Sequence, residues 1–345
     1  MCFSRFQSRI TCFALLLFAG PLRAQEKAQG PVSDKAKKAW AEAYDYLHRR
    51  NTVSALDSFR RADKADGGRC LACQRNIIKY GAELGDWKAA ETAAAEMVGE
   101  AQGEKEAALA HFEFGRLLQA EGVARRKEEI FARAHEELQQ ALAAVPRFPE
   151  AVYADGLVLA HLKQDDAAKA QFEQYVKMQP QDSPQRQRAQ RYIGNPALAR
   201  ERMAPPFAVT TLDGQRVALD DLTGKVVLID FWATWCGPCR EALPHIQKLA
   251  KKFDGEPFVI LSVSLDSDES QWKDFVATHG MTWPQYWDGK FNGPVARLFA
   301  VNAIPHTFTI DADGVLEDEH IGDASIEGKL KKLIARAREA QGPLR

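Results

Sequence analysis

The sequence predicts two domains of different class, an α-helical repeat domain followed by an α/β domain with a mixed central sheet. Three observations carry this. From about residue 36 to 192 the chain is Ala-rich, with apolar residues at helical spacing and few strand signals. Gly194, Pro196, Pro205 and Pro206 then break the pattern. Beyond them, strand-like and helix-like segments alternate, beginning with the run Val226 to Trp232, apolar except for Asp230. A chain of 345 residues accommodates two domains at about 100–200 residues each. Its 46% hydrophobic and 27% charged residues exclude wholesale disorder, collagen and a coiled-coil rod. A net charge of −1 supplies no basic field for nucleic acid or anionic lipid.

Residues 1–24 read as a secretory signal. Arg5 and Arg9 open it, and Ile10 to Gly20 is an apolar run too short for the roughly 30 Å hydrocarbon core. Pro21 ends the run and Leu22-Arg23-Ala24 offers a cleavage site. A buried amphipathic helix and an uncleaved anchor are the alternatives. Cleavage removes three Arg and no acid, so net charge moves from −1 to −4, and Cys2 and Cys12 leave. Four Cys then remain, in two Cys-x-x-Cys pairs, in an export compartment where disulfides persist. No second long apolar run follows, so no span is expected after cleavage. Residues 25–35 are polar and read as a flexible lead-in.

Residues 36–193 carry a period. Ala134, Leu138, Ala141 and Pro146 recur 34 positions later as Ala168, Phe172, Tyr175 and Pro180. Gly156 stands where a first helix packs a small residue against a second. Weaker copies are Leu84-Gly85-Asp86-Trp87-Lys88-Ala89-Ala90 and the set Trp40, Tyr44, Ala55, Phe59 and Ala62. The pattern resembles the tetratricopeptide repeat, a helix-turn-helix unit of about 34 residues. Four units are expected, at 37–66, 70–101, 106–146 and 150–180, the third with an insertion near 121–128. A polar helix near 182–192 is expected to cap the stack, and 194–203 to link it to the domain at 204–345. A plain helical bundle is the alternative.

In the second domain, 226–232 reads as a buried strand, 237–253 as a helix, 258–265 as a strand and 269–280 as a helix. Thr307 to Ile310 and Val315 to His320 read as strands around the Asp311-Ala312-Asp313-Gly314 turn, and 325–341 as a final helix. This order implies a mixed sheet with helices on both faces.

The chemistry concentrates in Trp235-Cys236-Gly237-Pro238-Cys239, after a buried strand and at a helix start. Free N–H groups and the positive end of the helix dipole stabilise a thiolate on Cys236. Only the thiolate attacks a disulfide. Cys239, one turn on, is placed to attack the resulting mixed disulfide. Gly237 and Pro238 shape the turn, and Pro244 is expected to kink the helix.

Residues 204–341 resemble the thioredoxin fold, and within it the exported TlpA/ResA-type thiol-disulfide oxidoreductases. The resemblance rests on Ala204-Pro205-Pro206-Phe207, on Leu219 to Lys225, on Phe231 through Arg240, and on Ile304-Pro305 before a strand. It implies that Cys236 and Cys239 form the redox-active disulfide, that Pro305 is a cis-proline facing it, and that Asp230 is a buried proton acceptor for Cys239. No Lys stands on the strand Phe258 to Leu265 to pair with Asp230. The chain departs from the family in carrying Ala242 where Glu is common, with Glu241 turned elsewhere, and His306 after the proline where Thr is common. His306 is read as a solvated rim residue, or else as a group that tunes the thiolate or touches substrate. Peroxiredoxins share the fold, but their Thr and Pro positions are Ala233 and Ile229 here.

Cys70-Leu71-Ala72-Cys73 follows Gly67-Gly68 and opens a repeat helix. Gln74 in place of His excludes haem attachment. A structural disulfide is expected there; an unpaired couple, a second redox centre or a metal site are the alternatives. No cofactor and no resident metal are expected. The resemblance implies an exported, periplasmic enzyme that exchanges disulfides with proteins and is resupplied by a membrane thiol donor, for example in cytochrome c maturation. The repeats would bind a protein or peptide partner. A scaffold whose second domain only docks, and a disulfide oxidase, are the rival readings.

Overall fold

The computed structural model describes residues 30–322 and 326–341. The expected signal segment, with Cys2 and Cys12, lies outside the described residues. The chain divides into two compact units, one ending at Met178 and one beginning at Gln179.

The first unit is helical and repeat-like. Its helices are α1 (Asp34–His48), α2 (Thr52–Ala65), α3 (Leu71–Leu84), α4 (Trp87–Glu100), α5 (Gly103–Arg125), α6 (Glu128–Ala144), α7 (Pro149–His161) and α8 (Asp165–Met178). Successive helices pack as hairpins, α1 with α2 through α7 with α8. Local chemistry sets their ends. Side chains of Ser33, Asn51 and Asp86 accept the N–H three residues on and cap α1, α2 and α4. Gly85, at φ 74°, adopts the left-handed conformation that ends α3. Small residues let the hairpins close: a Cβ on Gly115 would stand 2.7 Å from Leu138, and one on Gly156 2.7 Å from Phe172. The insertion in the third unit is helix rather than loop. It lengthens α5 to 23 residues and α6 to 17, with Gly122 seated against Phe131. The end of the polar lead-in is held, because Asp66 accepts the Val32 and Ser33 N–H groups at 2.6 and 2.9 Å.

The second unit starts earlier than the sequence indicated. Helix α9 (Pro184–Gly194), expected to cap the repeats, packs within it. Its Arg188, 1% exposed, donates to Asp220 at 2.7 Å and to the Ala204 carbonyl at 2.9 Å. The stretch read as a linker contains a 3-10 turn, Pro196–Arg200, and then a seam in which Leu316 N–H donates to Arg202 O at 2.8 Å.

The sheet is built from β3 (Val226–Trp232), β4 (Phe258–Ser264), β5 (Gln285–Trp287), β6 (His306–Ile310) and β7 (Leu316–Ile321), after a small hairpin of β1 (Ala208–Thr210) and β2 (Arg216–Ala218). Strand order is β5-β4-β3-β6-β7, with β3, β4 and β5 parallel and β6 and β7 antiparallel. This is the mixed, thioredoxin-like sheet that was expected. Helices are α10 (Gly237–Lys252), α11 (Glu269–Thr278), α12 (Pro294–Leu298) and α13 (Glu327–Gln341). Strand β1, β2, β5 and helix α12 were not anticipated; each spans only three to five residues.

Every residue of β3 is buried, as a central strand covered on both faces requires. Val226 and Leu228 pack against Ile246 and Leu249 of α10 and Leu330 of α13. Trp232, on that same face, joins Cys236, Cys239 and Leu243. Phe231 points the other way, to Phe299 and Phe308. Asp230 therefore lies on the α10 face, between Leu228 and Trp232.

Candidate functional site

Strand β3 delivers its last residues to a four-residue turn, and Cys236 caps the helix that follows. The Cys239 N–H donates to Cys236 Sγ at 3.2 Å, and the two sulfurs form a disulfide. Gly237 and Pro238 supply the first turn of α10, which continues through Pro244. Both Cys are 5% exposed, while Trp235 beside them is 58% exposed. The dithiol thus sits at a surface edge, flanked by an uncovered indole.

A residue that sequence reasoning missed shapes the turn. Asp266, just past β4, accepts the Thr234 N–H on both carboxylate oxygens at 3.1 Å and the Thr234 hydroxyl at 2.7 Å. Ser264 Oγ donates to the same carboxylate at 2.7 Å, and the Trp287 indole donates to the Asp266 carbonyl at 2.7 Å.

The Ile304-Pro305 bond is cis. The antiparallel register of β3 and β6 pairs Phe231 with His306, so Pro305 falls beside Trp232, at the strand end that carries the dithiol turn. The Pro305 carbonyl accepts the Gly322 N–H at 2.9 Å.

Asp230 is 7% exposed and its neighbours on adjacent strands are Ser262 and Thr307. Burial pushes its carboxyl up to about 6 from 3.8, partly offset by the Ser262 hydroxyl, which donates to Oδ2 at 3.2 Å. Ser262 stands where no Lys was found.

His306 corrects the sequence reading. It is 2% exposed rather than a solvated rim residue. It shares a sheet face with Phe231, stacks on Phe308 with centroids 4.4 Å apart, and points away from the α10 side. Its Nε2 lies 3.3 Å from Glu319, whose carboxyl is held low by His306 and by Arg202 at 3.0 Å. From that face it cannot touch the Cys236 sulfur. Glu241 is exposed, as its helical position implied.

Cys70 and Cys73 also form a disulfide, at the start of α3. They are 2% and 0% exposed and pack with Ala39, Ala62 and Trp40. Asp63 accepts the Cys70 N–H at 3.1 Å. The indole packed on this pair, Trp40, is half-buried, whereas Trp235 beside the other pair is exposed. Among the described residues no group of three or more His, Cys, Asp or Glu side chains is arranged to hold a metal, and no helix is long and apolar enough to cross a membrane.

Comparison with known proteins places the second unit. The AhpC/TSA family matches residues 201–319. Thiol-disulfide oxidoreductase ResA of Bacillus anthracis is 34% identical over 133 residues, covering 38% of this chain and 76% of its own. Thioredoxin-like protein YneN of Bacillus subtilis is 34% identical over 135 residues, 38% of this chain and 77% of its own. A solved thiol-disulfide oxidoreductase from Bacteroides fragilis is 26% identical over 38% of this chain and 98% of that one, with a TM-score of 0.35. Through its second unit, the chain belongs to the family of ResA-type thiol-disulfide oxidoreductases.

Proposed function

We propose that this protein is an exported reductase of protein disulfides, working in the periplasm, with a tetratricopeptide-like domain that binds a protein or peptide partner. The observation that carries the redox part is the placement of Cys236: it caps α10 at the surface edge, one turn from Cys239 and beside an exposed Trp235.

The reaction follows from that placement. The helix start stabilises the Cys236 thiolate. The thiolate attacks one sulfur of a substrate disulfide; a mixed disulfide forms and the other substrate sulfur leaves as thiolate. Asp230 takes the Cys239 proton. Cys239 then attacks Cys236 Sγ, the second substrate sulfur leaves, and the Cys236–Cys239 disulfide remains. Two electrons pass from the protein dithiol to the substrate. A membrane thiol donor restores the dithiol by the reverse exchange. Pro305 has no N–H and its carbonyl is engaged by Gly322, so the Ile304 backbone is the part of this loop that meets an extended substrate strand. Maturation of cytochrome c is the process this reading favours.

Direction is tested by equilibrating the protein with glutathione buffers and quantifying the Cys236–Cys239 disulfide. A reductase has a potential far below the value of about −120 mV typical of a strong dithiol oxidant; a value near that would reverse the assignment. Export is tested by the mature N-terminus: a chain beginning at residue 1 in the cytosolic fraction contradicts it.

A further inference from the structure

The parallel register of β3 and β4 sets Ser262 directly beside Asp230. Ser262 is fully buried, and its hydroxyl donates to Asp230 Oδ2 at 3.2 Å. Its oxygen in turn accepts the Trp283 indole N–H at 2.9 Å. An indole nitrogen can only donate. The Ser262 oxygen must therefore accept there, and its single proton is directed to Asp230. The arrangement is braced through the backbone as well, since the Ser262 N–H donates to the carbonyl of Pro284, next to Trp283, at 3.0 Å. The Trp283 ring packs on both apolar clusters under α10, one containing Leu228 and Leu249, the other Trp232, Cys236 and Cys239.

We propose that Ser262 and Trp283 are positioning residues that keep Asp230 competent to accept the Cys239 proton. The proposal rests on the reading of Asp230 as that acceptor. Groups facing Asp230 are Ser262 from β4, Thr307 from β6 and the buried side of α10, which carries Cys239, Leu243 and Ile246, while its charged residues Arg240, Glu241, Lys251 and Lys252 are exposed. Among the described residues no charged side chain acts on it, and the Ser262 hydroxyl is what offsets the desolvation of its carboxylate. Without that hydroxyl the acid would stay protonated further into the neutral range and could not take a second proton. Without the indole the hydroxyl would be free to turn from Asp230.

The test is single-turnover reaction of the reduced full-length protein with 5,5′-dithiobis(2-nitrobenzoate). Cys236 attacks the reagent and releases one thionitrobenzoate; Cys239 then resolves the mixed disulfide and releases a second. The rate of the second release is followed from acid to alkaline pH in wild type, Asp230→Asn, Ser262→Ala, Ser262→Thr and Trp283→Phe. We expect Ser262→Ala to move the rise of that rate to higher pH by about one unit. Trp283→Phe should move it the same way by less, and Ser262→Thr, which keeps the hydroxyl, should restore the wild-type profile. The first release should keep its wild-type rate in Ser262→Ala, Ser262→Thr and Trp283→Phe, which reports an intact fold. If Asp230→Asn alters the profile while Ser262→Ala and Trp283→Phe leave it in place, the positioning role is wrong. If Asp230→Asn also leaves it in place, Asp230 is not the acceptor and the proposal falls with it. If wild type gives no second release, the redox reading itself fails.

Discussion

Asp266 fastens Thr234, two residues before Cys236, by three contacts: both carboxylate oxygens take the Thr234 N–H at 3.1 Å and one takes its hydroxyl at 2.7 Å. The turn that delivers the attacking sulfur is thus anchored to the end of the neighbouring strand rather than to its own helix. Asp266 is 1% exposed. Asp266→Ala should leave a buried N–H unsatisfied, destabilise the second unit by about 1–3 kcal/mol, and lower kcat/KM for insulin reduction by about tenfold or more. Thermal melts and steady-state assays together check this; wild-type kcat/KM in the variant would remove Asp266 from the site.

Asp230 makes stability depend on pH. Its folded-state value, about 6, lies above the ordinary 3.8, so the neutral acid is favoured in the fold. Stability from this group is present below about pH 4 and is lost as pH rises through 6. Asp230→Asn removes the loss. The variant should therefore be more stable than wild type at pH 8, by about 2–3 kcal/mol, and indistinguishable from it near pH 4. Urea unfolding of the oxidised protein at the two pH values measures the difference. Equal stability at pH 8 would show that the carboxylate is not held in an apolar site.

Arg188 and Asp220 form a buried ion pair at 2.7 Å, with exposures of 1% and 3% for the two side chains. Arg188→Ala strands the carboxylate, although Arg191 still reaches it at 2.8 Å. The expected loss is at the lower end of the about 3–5 kcal/mol typical of a broken buried pair. Arg188→Met combined with Asp220→Leu should recover most of it. Calorimetry decides, and an unchanged transition in Arg188→Ala would mean that α9 is not part of this unit.

Cys70 and Cys73 close a loop of only four residues, so the chain-entropy contribution is about 2 kcal/mol. Replacing both by Ser should lower the melting temperature of the helical unit and leave insulin reduction at the wild-type rate. A proportional fall in activity would assign the pair a redox role.

What the sequence made legible was chemistry with a local signature. The apolar run of β3 announced a central strand, and Trp235-Cys236-Gly237-Pro238-Cys239 at its end announced a dithiol on a helix start. The spacing of Gly156, Ala168 and Phe172 announced a helical hairpin, and Gly156 does seat Phe172. What escaped depends on partners brought together only by folding. Ser262 and Asp266 lie 32 residues from Asp230 and Thr234, and only strand register unites them. His306 looked like a rim residue because its neighbour Pro305 borders the dithiol; the alternation of β6 turns it into the aromatic layer of Phe231, Phe299 and Phe308. Helix α9 read as a cap on the repeats because its polar sequence hides an inward face of Arg188, Ala189 and Tyr192. Three-residue strands such as β5 carry too few side chains for any period to show.

The central claim is that Cys236 and Cys239 form the working redox couple of a disulfide reductase. It is tested most directly by insulin reduction with the purified full-length protein and an excess of thiol donor, comparing wild type with Cys236→Ser. The account predicts turnover by wild type and only the uncatalysed background in the variant, with Cys70→Ser/Cys73→Ser at the wild-type rate. Equal turnover by wild type and Cys236→Ser would contradict it.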